Sequence, residues 1–260
     1  MSVDVHTHFL LEDWPIFHLD NHLFALYKPA GLLVQGDETE DVALLDLAKS
    51  WLKEAYGKPG RVFLGMVQRL DRPVAGVIVF ARTSKAAARL SEQFRTGSTR
   101  KRYLAVVEGR IIPAEGRLVH HIERRDNRSS RIVGRAVASS REARLSYRVV
   151  ETSGSRTLVE ILLETGRRHQ IRVQLAHIGH PIVGDLRYGA PSPLPFAQIA
   201  LLARELTIQH PTQKTPLAFQ SPLPQGWPWP PLKPEPAAPP WNWKEILPRL
   251  PVQAVAEPAQ

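Results

Sequence analysis

The chain has no cysteine in its 260 residues, which excludes disulfides, a thiolate nucleophile and any cysteine-ligated zinc site. No glycine-rich phosphate loop and no dinucleotide fingerprint follows a strand-like segment, so nucleotide-driven and redox chemistry have no carrier and no cofactor is expected. His169, His177 and His180 lie close in sequence, but without an HExxH pair or a cysteine they do not complete a metal set, and no metal site is expected. No apolar run approaches the roughly 20 residues of a membrane span. The opening MSVDVHTHFLLEDW lacks the basic-then-apolar order of a signal peptide, so a cytoplasmic protein with no membrane association is expected. Negative charge is also scarce: 25 acidic side chains face 34 basic ones, a net charge of +9. Such an excess favours a polyanionic partner such as nucleic acid.

What is present is a mixture of strand and helix signals. HLFALYK (22–28) reads as a strand closed by the turn PAG, since proline fixes φ and glycine tolerates positive φ. Residues 42–56 place Leu44, Leu47, Ala48, Trp51 and Ala55 at helical spacing. GVIVFA (76–81) is a continuous apolar run of strand length, followed by a helix capped by Thr83 or Ser84 and closed at Gly97. KRYLAVVEG, ARLSYRVVE and RTLVEILLET are rich in β-branched and aromatic residues and read as strands. Residues 167–178 return to helix with Ile171, Leu175 and Ile178 on one stripe, and IALLARELTI (199–208) supplies a last strand. Without a regular βαβ alternation, an α+β fold with a mixed, mainly antiparallel sheet and flanking helices is expected.

The texture changes near Ser221. Residues 222–260 hold 12 of the 23 prolines and four of the six tryptophans. The expected organisation is one domain over 1–221 and a Pro/Trp-rich tail over 222–260. Proline denies the backbone donors that a sheet or helix needs, while GWPWPP and PPWNWKEIL carry aromatics that could dock on an apolar surface. A docked tail and a flexible partner-binding one are both open on this evidence.

Positive charge concentrates in residues 124–148, where eight arginines, among them Arg124, Arg125, Arg128 and Arg131, meet two acids, Asp126 and Glu142. Guanidinium groups grip phosphate with paired hydrogen bonds. A solvated basic loop and a nucleic-acid contact both fit. Asp71, between Arg69 and Arg72 in VQRLDRPVAG, is the best-placed acid: neighbouring arginines favour its ionised form, which suits either an ion-paired turn or a nucleophile or base. Arg168 and Arg172 fall at i, i+4, so a basic helical face near a helix start could meet phosphate or merely face solvent. Tyr103, on a strand after Arg100, Lys101 and Arg102, fits packing or base stacking.

Taken in order, MVQRLDRPVAGVIVFARTSKAAARLSEQF, KRYLAVVEG and TGRRHQIRVQLAHIGHPIVGDLRYG resemble the signature blocks of RluA-type RNA pseudouridine synthases. YKPAGLLVQ upstream and IALLARELTIQHP downstream resemble the flanking blocks, so the likeness covers about residues 17–222. It implies a pseudouridine synthase fold around a basic catalytic cleft, with RNA as partner and no nucleotide cofactor. By motif, Asp71 matches the catalytic aspartate, Tyr103 the tyrosine that lies against the uracil ring, and Arg172 the basic residue that pairs with the aspartate. Arg69 matches an arginine implied to contact RNA beside the emptied base position, and Ile171 an apolar residue of the pocket. The stretch before residue 17 is too short for the extra RNA-binding domain of some relatives, so none is expected there.

Three positions depart from the family pattern: Gln68 replaces a histidine, Val74-Ala75 replace Thr-Ser or Val-Ser, and Gln174 replaces another histidine. They put loop hydrogen bonding and target choice in question but remove none of the three matched groups. The implied function is isomerisation of specific uridines in RNA, ribosomal ahead of transfer RNA, by base flipping. Asp71 could attack the sugar, attack the base, or remove a sugar proton. The alternative is a non-catalytic RNA-binding or ribosome-assembly protein of the same fold, for which loss of Asp71, Tyr103 or Arg172 would be the signature. A monomer is expected.

Overall fold

The computed structural model describes residues 9–126, 129–234 and 239–250. In chain order its strands are β1 (Ile16–Leu19), β2 (Leu23–Lys28), β3 (Gly65–Met66), β4 (Ala75–Ala81), β5 (Arg100–Glu108) and β6 (Glu115–Arg124). β7 (Ser130–Val133), β8 (Ser140–Ser153), β9 (Arg156–Leu163), β10 (Leu201–Gln209) and β11 (Pro216–Gln220) follow. The helices are α1 (Leu44–Ala55), α2 (Ser84–Thr96), α3 (Gln170–His177) and the short α4 (Trp243–Ile246). Among the described residues the strands form one 11-stranded sheet ordered β1-β2-β4-β10-β5-β9-β8-β6-β7, with β11 on β10 and β3 on β4. β4 and β10 run parallel, and the other strand pairs are antiparallel. The expected α+β class with a mixed, mainly antiparallel sheet is what the chain adopts.

The apolar run of β4 is continuous because the sheet is covered on both faces there. Ile78 and Phe80 pack with Phe24, Leu26 and α1 residues Leu44, Leu47 and Leu52. Val77, Val79 and Ala81 pack on the opposite face with Leu23, Ala25 and Leu90 of α2. Burying each large aliphatic side chain contributes about 2 kcal/mol before entropic costs. The Thr83 hydroxyl accepts from the Ala86 amide at 3.1 Å and caps α2, while Gly97 ends it in the left-handed region. Gly76 permits the parallel pair: a Cβ at that position would lie 2.2 Å from the Ala203 carbonyl oxygen, and its φ of 125° suits glycine. The glycine of VQRLDRPVAG therefore lets β10 close on the strand that follows Asp71.

Several expectations need correction. α3 begins at Gln170, three residues later than residue 167, because His169 takes a left-handed φ of 53°. The Gln170 side chain holds that turn by accepting from the Arg167 amide at 2.9 Å and the Thr165 hydroxyl at 2.8 Å. Arg168 thus lies outside the helix and shares no helical face with Arg172. β10 is not the last strand, since β11 pairs beside it. β1, β6 and β7 gave no clear signal: β1 is only four residues long, and β6 mixes histidine and arginine into a half-exposed alternation.

The Pro/Trp-rich segment docks over its described part. Trp227, Trp229, Trp241 and Trp243 are buried in the main core. Trp241 and Trp243 straddle Ala30 in backbone hydrogen bonds: Ala30 N to Trp241 O at 3.0 Å, and Trp243 N to Ala30 O at 2.6 Å. Tyr27 donates its hydroxyl to the Pro240 carbonyl at 3.0 Å, and Trp229 donates to Glu151 at 2.9 Å. No helix among the described residues is long and apolar enough to cross a membrane.

Candidate active site

The loop before β4 hangs Asp71 over a cleft of about 430 Å³ bounded by β5, the end of α2 and the turn leading into α3. Lys28, fully buried at the end of β2, holds that loop from beneath. Its ammonium donates to the carbonyls of Pro29 at 2.9 Å, Arg72 at 3.2 Å and Val74 at 2.7 Å. Burial lowers the Lys28 pKa to about 7, with the Asp71 charge opposing the fall.

The partners of Asp71 are not its neighbours in sequence. Arg72 turns away to Asp41 at 2.7 Å and to the Gly31 carbonyl at 2.9 Å. Arg69 is exposed at the rim. It is Arg172, 101 residues away, whose Nη1 donates to Asp71 Oδ2 at 3.1 Å. Arg172 is only 4% exposed, and Asp185, at 2% exposure, grips its other edge: Nε to Oδ2 at 2.7 Å and Nη2 to Oδ1 at 2.9 Å. Burial works against the guanidinium charge, and the two carboxylates outweigh it, so the pKa of Arg172 rises. Its face lies 5.1 Å from the centre of the Tyr188 ring. This arrangement fixes a cation through one acid and presents it to a second, partly exposed one.

Tyr103, two residues along β5 from Lys101, and Ile171 also line the cleft and are buried. Burial, reinforced by the nearby Asp71 charge, raises the Tyr103 phenol pKa well above its ordinary value, so it stays protonated at neutral pH. His169 is a site neighbour that sequence reasoning weighed only as a metal ligand. Its Nδ1 meets the Tyr188 hydroxyl at 2.8 Å and its Nε2 lies 3.7 Å from Asp71. Burial first, then Arg172, Arg168 and Arg187, lowers its pKa to about 4 against the pull of Asp71, leaving it neutral at pH 7. Asp185 and Tyr188 were likewise unassigned, although both stand in the quoted IVGDLRYG.

The basic residues divide. Arg168 is exposed beside the cleft, and its pKa is lowered by burial and by Arg124 and Arg69, with Asp71 opposing. Arg168 thus feels the charges of Arg124, Asp71 and Arg69. Arg131 instead pairs with Glu123 at 2.8 Å, Arg125 lies in the β6–β7 turn, and Arg128 lies outside the described residues. The count of eight arginines against two acids leaves out acids brought in from further along the chain: Arg144 reaches Glu164, just past β9, at 3.1 Å, and Arg148 reaches Glu160 of β9 at 3.3 Å.

His177 packs edge-on against His120 with ring centres 4.9 Å apart, and His180 meets the Glu108 carbonyl at 3.0 Å, so neither joins His169. A different trio, His18, Asp20 and His210, has potential ligand atoms within 4.8 Å of one another. His210 Nδ1 accepts the Thr212 and Gln213 amides at 3.2 and 2.9 Å, so its proton sits on Nε2, facing Asp20 at 2.8 Å. That tautomer offers a metal no lone pair. Of the departures, Gln174 is fully buried and ties α3 to the Leu118 and Ala143 carbonyls at 3.3 Å each. Gln68 Nε2 is buried without an acceptor among the described residues.

A family model described as RNA pseudouridylate synthase matches residues 22–177. Ribosomal large subunit pseudouridine synthase D of Xylella fastidiosa is 34% identical over 237 residues, covering 85% of this chain and 70% of that protein. Dual-specificity RNA pseudouridine synthase RluA of Salmonella typhi is 35% identical over 215 residues, covering 81% of this chain and 94% of that protein. Among solved structures, human RNA Pseudouridylate Synthase Domain Containing 4 superposes with a TM-score of 0.68 at 28% identity, covering 82% of this chain and 89% of that one. With the acid, the tyrosine and the arginine converging on one cleft, the chain belongs to the RluA-type RNA pseudouridine synthase family.

Proposed function

We propose that the conversion of uridine in RNA to pseudouridine takes place in this cleft with Asp71 as the reacting carboxylate. The observation that carries the assignment is the ion-pair relay: Asp185 fixes Arg172, and Arg172 donates to Asp71 at the mouth of a cleft lined by Tyr103. The reaction breaks N1–C1′, forms C5–C1′, releases the C5 proton and returns a proton to N1. It is a redox-neutral isomerisation that needs an anionic group at the sugar and a surface for the detached ring. Asp71 supplies the first; Tyr103 and Ile171 supply the second. The raised Tyr103 pKa favours a stacking or donating role over that of a base. Arg69, Arg124 and Arg168 at the rim suit the phosphates beside a flipped nucleotide, offsetting the few kcal/mol of unstacking.

Ribosomal RNA is placed ahead of transfer RNA, in keeping with the several relatives named for the large ribosomal subunit. The relative named as dual-specificity supports keeping transfer RNA as the second substrate. We further read the chain as a cytoplasmic monomer that uses no nucleotide cofactor. The test expresses wild type and Asp71→Asn in a strain lacking the protein and maps pseudouridine across total RNA by carbodiimide primer extension. Wild type is expected to restore specific sites and the variant none, with a rate loss of at least about 10⁴-fold on the mapped site. Restoration by the variant would remove Asp71 from the chemistry, and no site dependent on wild type would remove the assignment of activity to this cleft.

A further inference from the structure

Lys101 is the unexplained charge of the cleft. It is 8% exposed on β5, lines the same cavity as Tyr103, and points to the same side of the strand because the two are two residues apart. Among the described residues its ammonium makes no hydrogen bond and no ion pair. Its neighbours Arg102 and Tyr103 are committed: Arg102 is bonded to Glu160 and Glu205, and Tyr103 packs in the core. An ammonium buried to this degree without an anion is costly. Here burial and the repulsion of Arg167 both lower its pKa. The register places it: Tyr103 stands opposite Ala203, which pairs with Gly76 just after the Asp71 loop, whereas Lys101 stands opposite Leu206, further along β10 from that loop, and a Cβ on Gly166 would lie 4.0 Å from its ammonium. Lys101 therefore occupies the end of the cleft away from the carboxylate.

Resting on the reading of the cleft given above, we propose that Lys101 reads the flipped base, donating a hydrogen bond to the ring carbonyl opposite the glycosidic atom. With C1′ at Asp71 and the ring against Tyr103, the atom directed away from Asp71 is the one across the ring from N1, which is C4 and its oxygen. Cytosine carries an amino group there, and an ammonium can only donate, so donor would face donor and cytidine is refused. The same contact survives the reaction. Turning the uracil about its N3–C6 axis exchanges N1 with C5 and C4 with C2, so pseudouridine presents O2 where uridine presented O4. One fixed donor thus holds a carbonyl before and after the turn, and it counters the negative charge that a detached uracil anion spreads onto its oxygens.

The test uses a short transcript carrying a mapped site, synthesised with uridine, 4-thiouridine or cytidine at the target, with full-length wild type and Lys101→Met. Wild type converting the uridine transcript is the control, and its failure would count against the functional reading; Lys101 is judged on ratios alone. Single-turnover conversion by Lys101→Met is expected to fall about 100-fold, with RNA affinity and its salt slope unchanged. Wild type is expected to prefer uridine over 4-thiouridine by about 10-fold, and Lys101→Met to lose that preference. A preference retained by the variant would overturn the proposal. So would weaker RNA binding with a shallower salt slope, which would make Lys101 a phosphate contact. If Lys101→Met fails to fold, wild type decides: equal single-turnover conversion of the uridine and 4-thiouridine transcripts refutes base reading.

Discussion

The two ends of the sheet are built on different physics. At the β1-β2-β4 end, both faces are covered, by α1 on one side and α2 on the other, and the strands are almost wholly apolar. At the β6-β7-β8 end, β6 alternates between half-exposed and exposed positions, and the strands are laced by ion pairs such as Arg117–Glu164 and Arg131–Glu123. Exposed pairs of that kind contribute about 0 to 1 kcal/mol each, so the arm is held chiefly by its ladder and by α3. The carboxylate of the site hangs from the first region, while much of the basic surface belongs to the second. In the proposed reading, positional precision comes from the buried end and long-range attraction from the exposed one.

This contrast can be broken at either end. The largest structural effect is expected from Asp185→Ala, which removes the bidentate partner of the buried Arg172 and leaves only Asp71 to balance it. A loss of about 3 kcal/mol in denaturant unfolding is expected, together with a fall in conversion rate larger than any fall in RNA affinity. Trp243→Ala should cost a similar or slightly smaller amount, about 3 kcal/mol, since it opens a cavity beside Trp14 in the main core. An unchanged melting temperature would mean that the tail merely rests on the surface. Arg124→Gln, Arg125→Gln and Arg131→Gln combined should leave the melting temperature within a degree or two. RNA binding should weaken, with a salt slope shallower by about 0.7 for each arginine that meets phosphate. Arg131, tied to Glu123, is expected to add least, and a comparison of single variants sharpens the division between steering and pairing residues.

Legibility in the sequence follows the same line. Strand β4, helix α1 and the capped α2 were readable because local periodicity and burial agree there. Asp71, Tyr103 and Arg172 were reachable through motifs of the resembled family. What local reasoning could not supply was pairing across distance. Arg69 and Arg72 flank Asp71, yet Arg72 is spent on Asp41 while the ion pair comes from residue 172. The basic stretch looked unopposed because Glu160 and Glu164 arrive from β9 and the residue just past it. The late start of α3 depends on one side chain, Gln170, bonding back to the turn before it, and nothing in the spacing of Ile171, Leu175 and Ile178 reveals that. Docking of the tryptophans was undecided in sequence because proline density and aromatic content argue in opposite directions.

The contact between Ala30 and the two tryptophans has a consequence for the order in which the enzyme is made. Gly31 N donates to the Arg72 carbonyl at 2.7 Å, so the turn that Trp241 and Trp243 bracket is bonded directly to the loop bearing Asp71. During synthesis the sheet and the loop bearing Asp71 leave the ribosome well before residues 239–250. Until those residues arrive, Ala30 lacks two backbone partners and its apolar flank lies open. The loop is therefore seated by a segment translated well after it, so chains cut before residue 239 are expected to hold Asp71 less firmly. Arrival of residues 239–250 is itself a step in assembling the site.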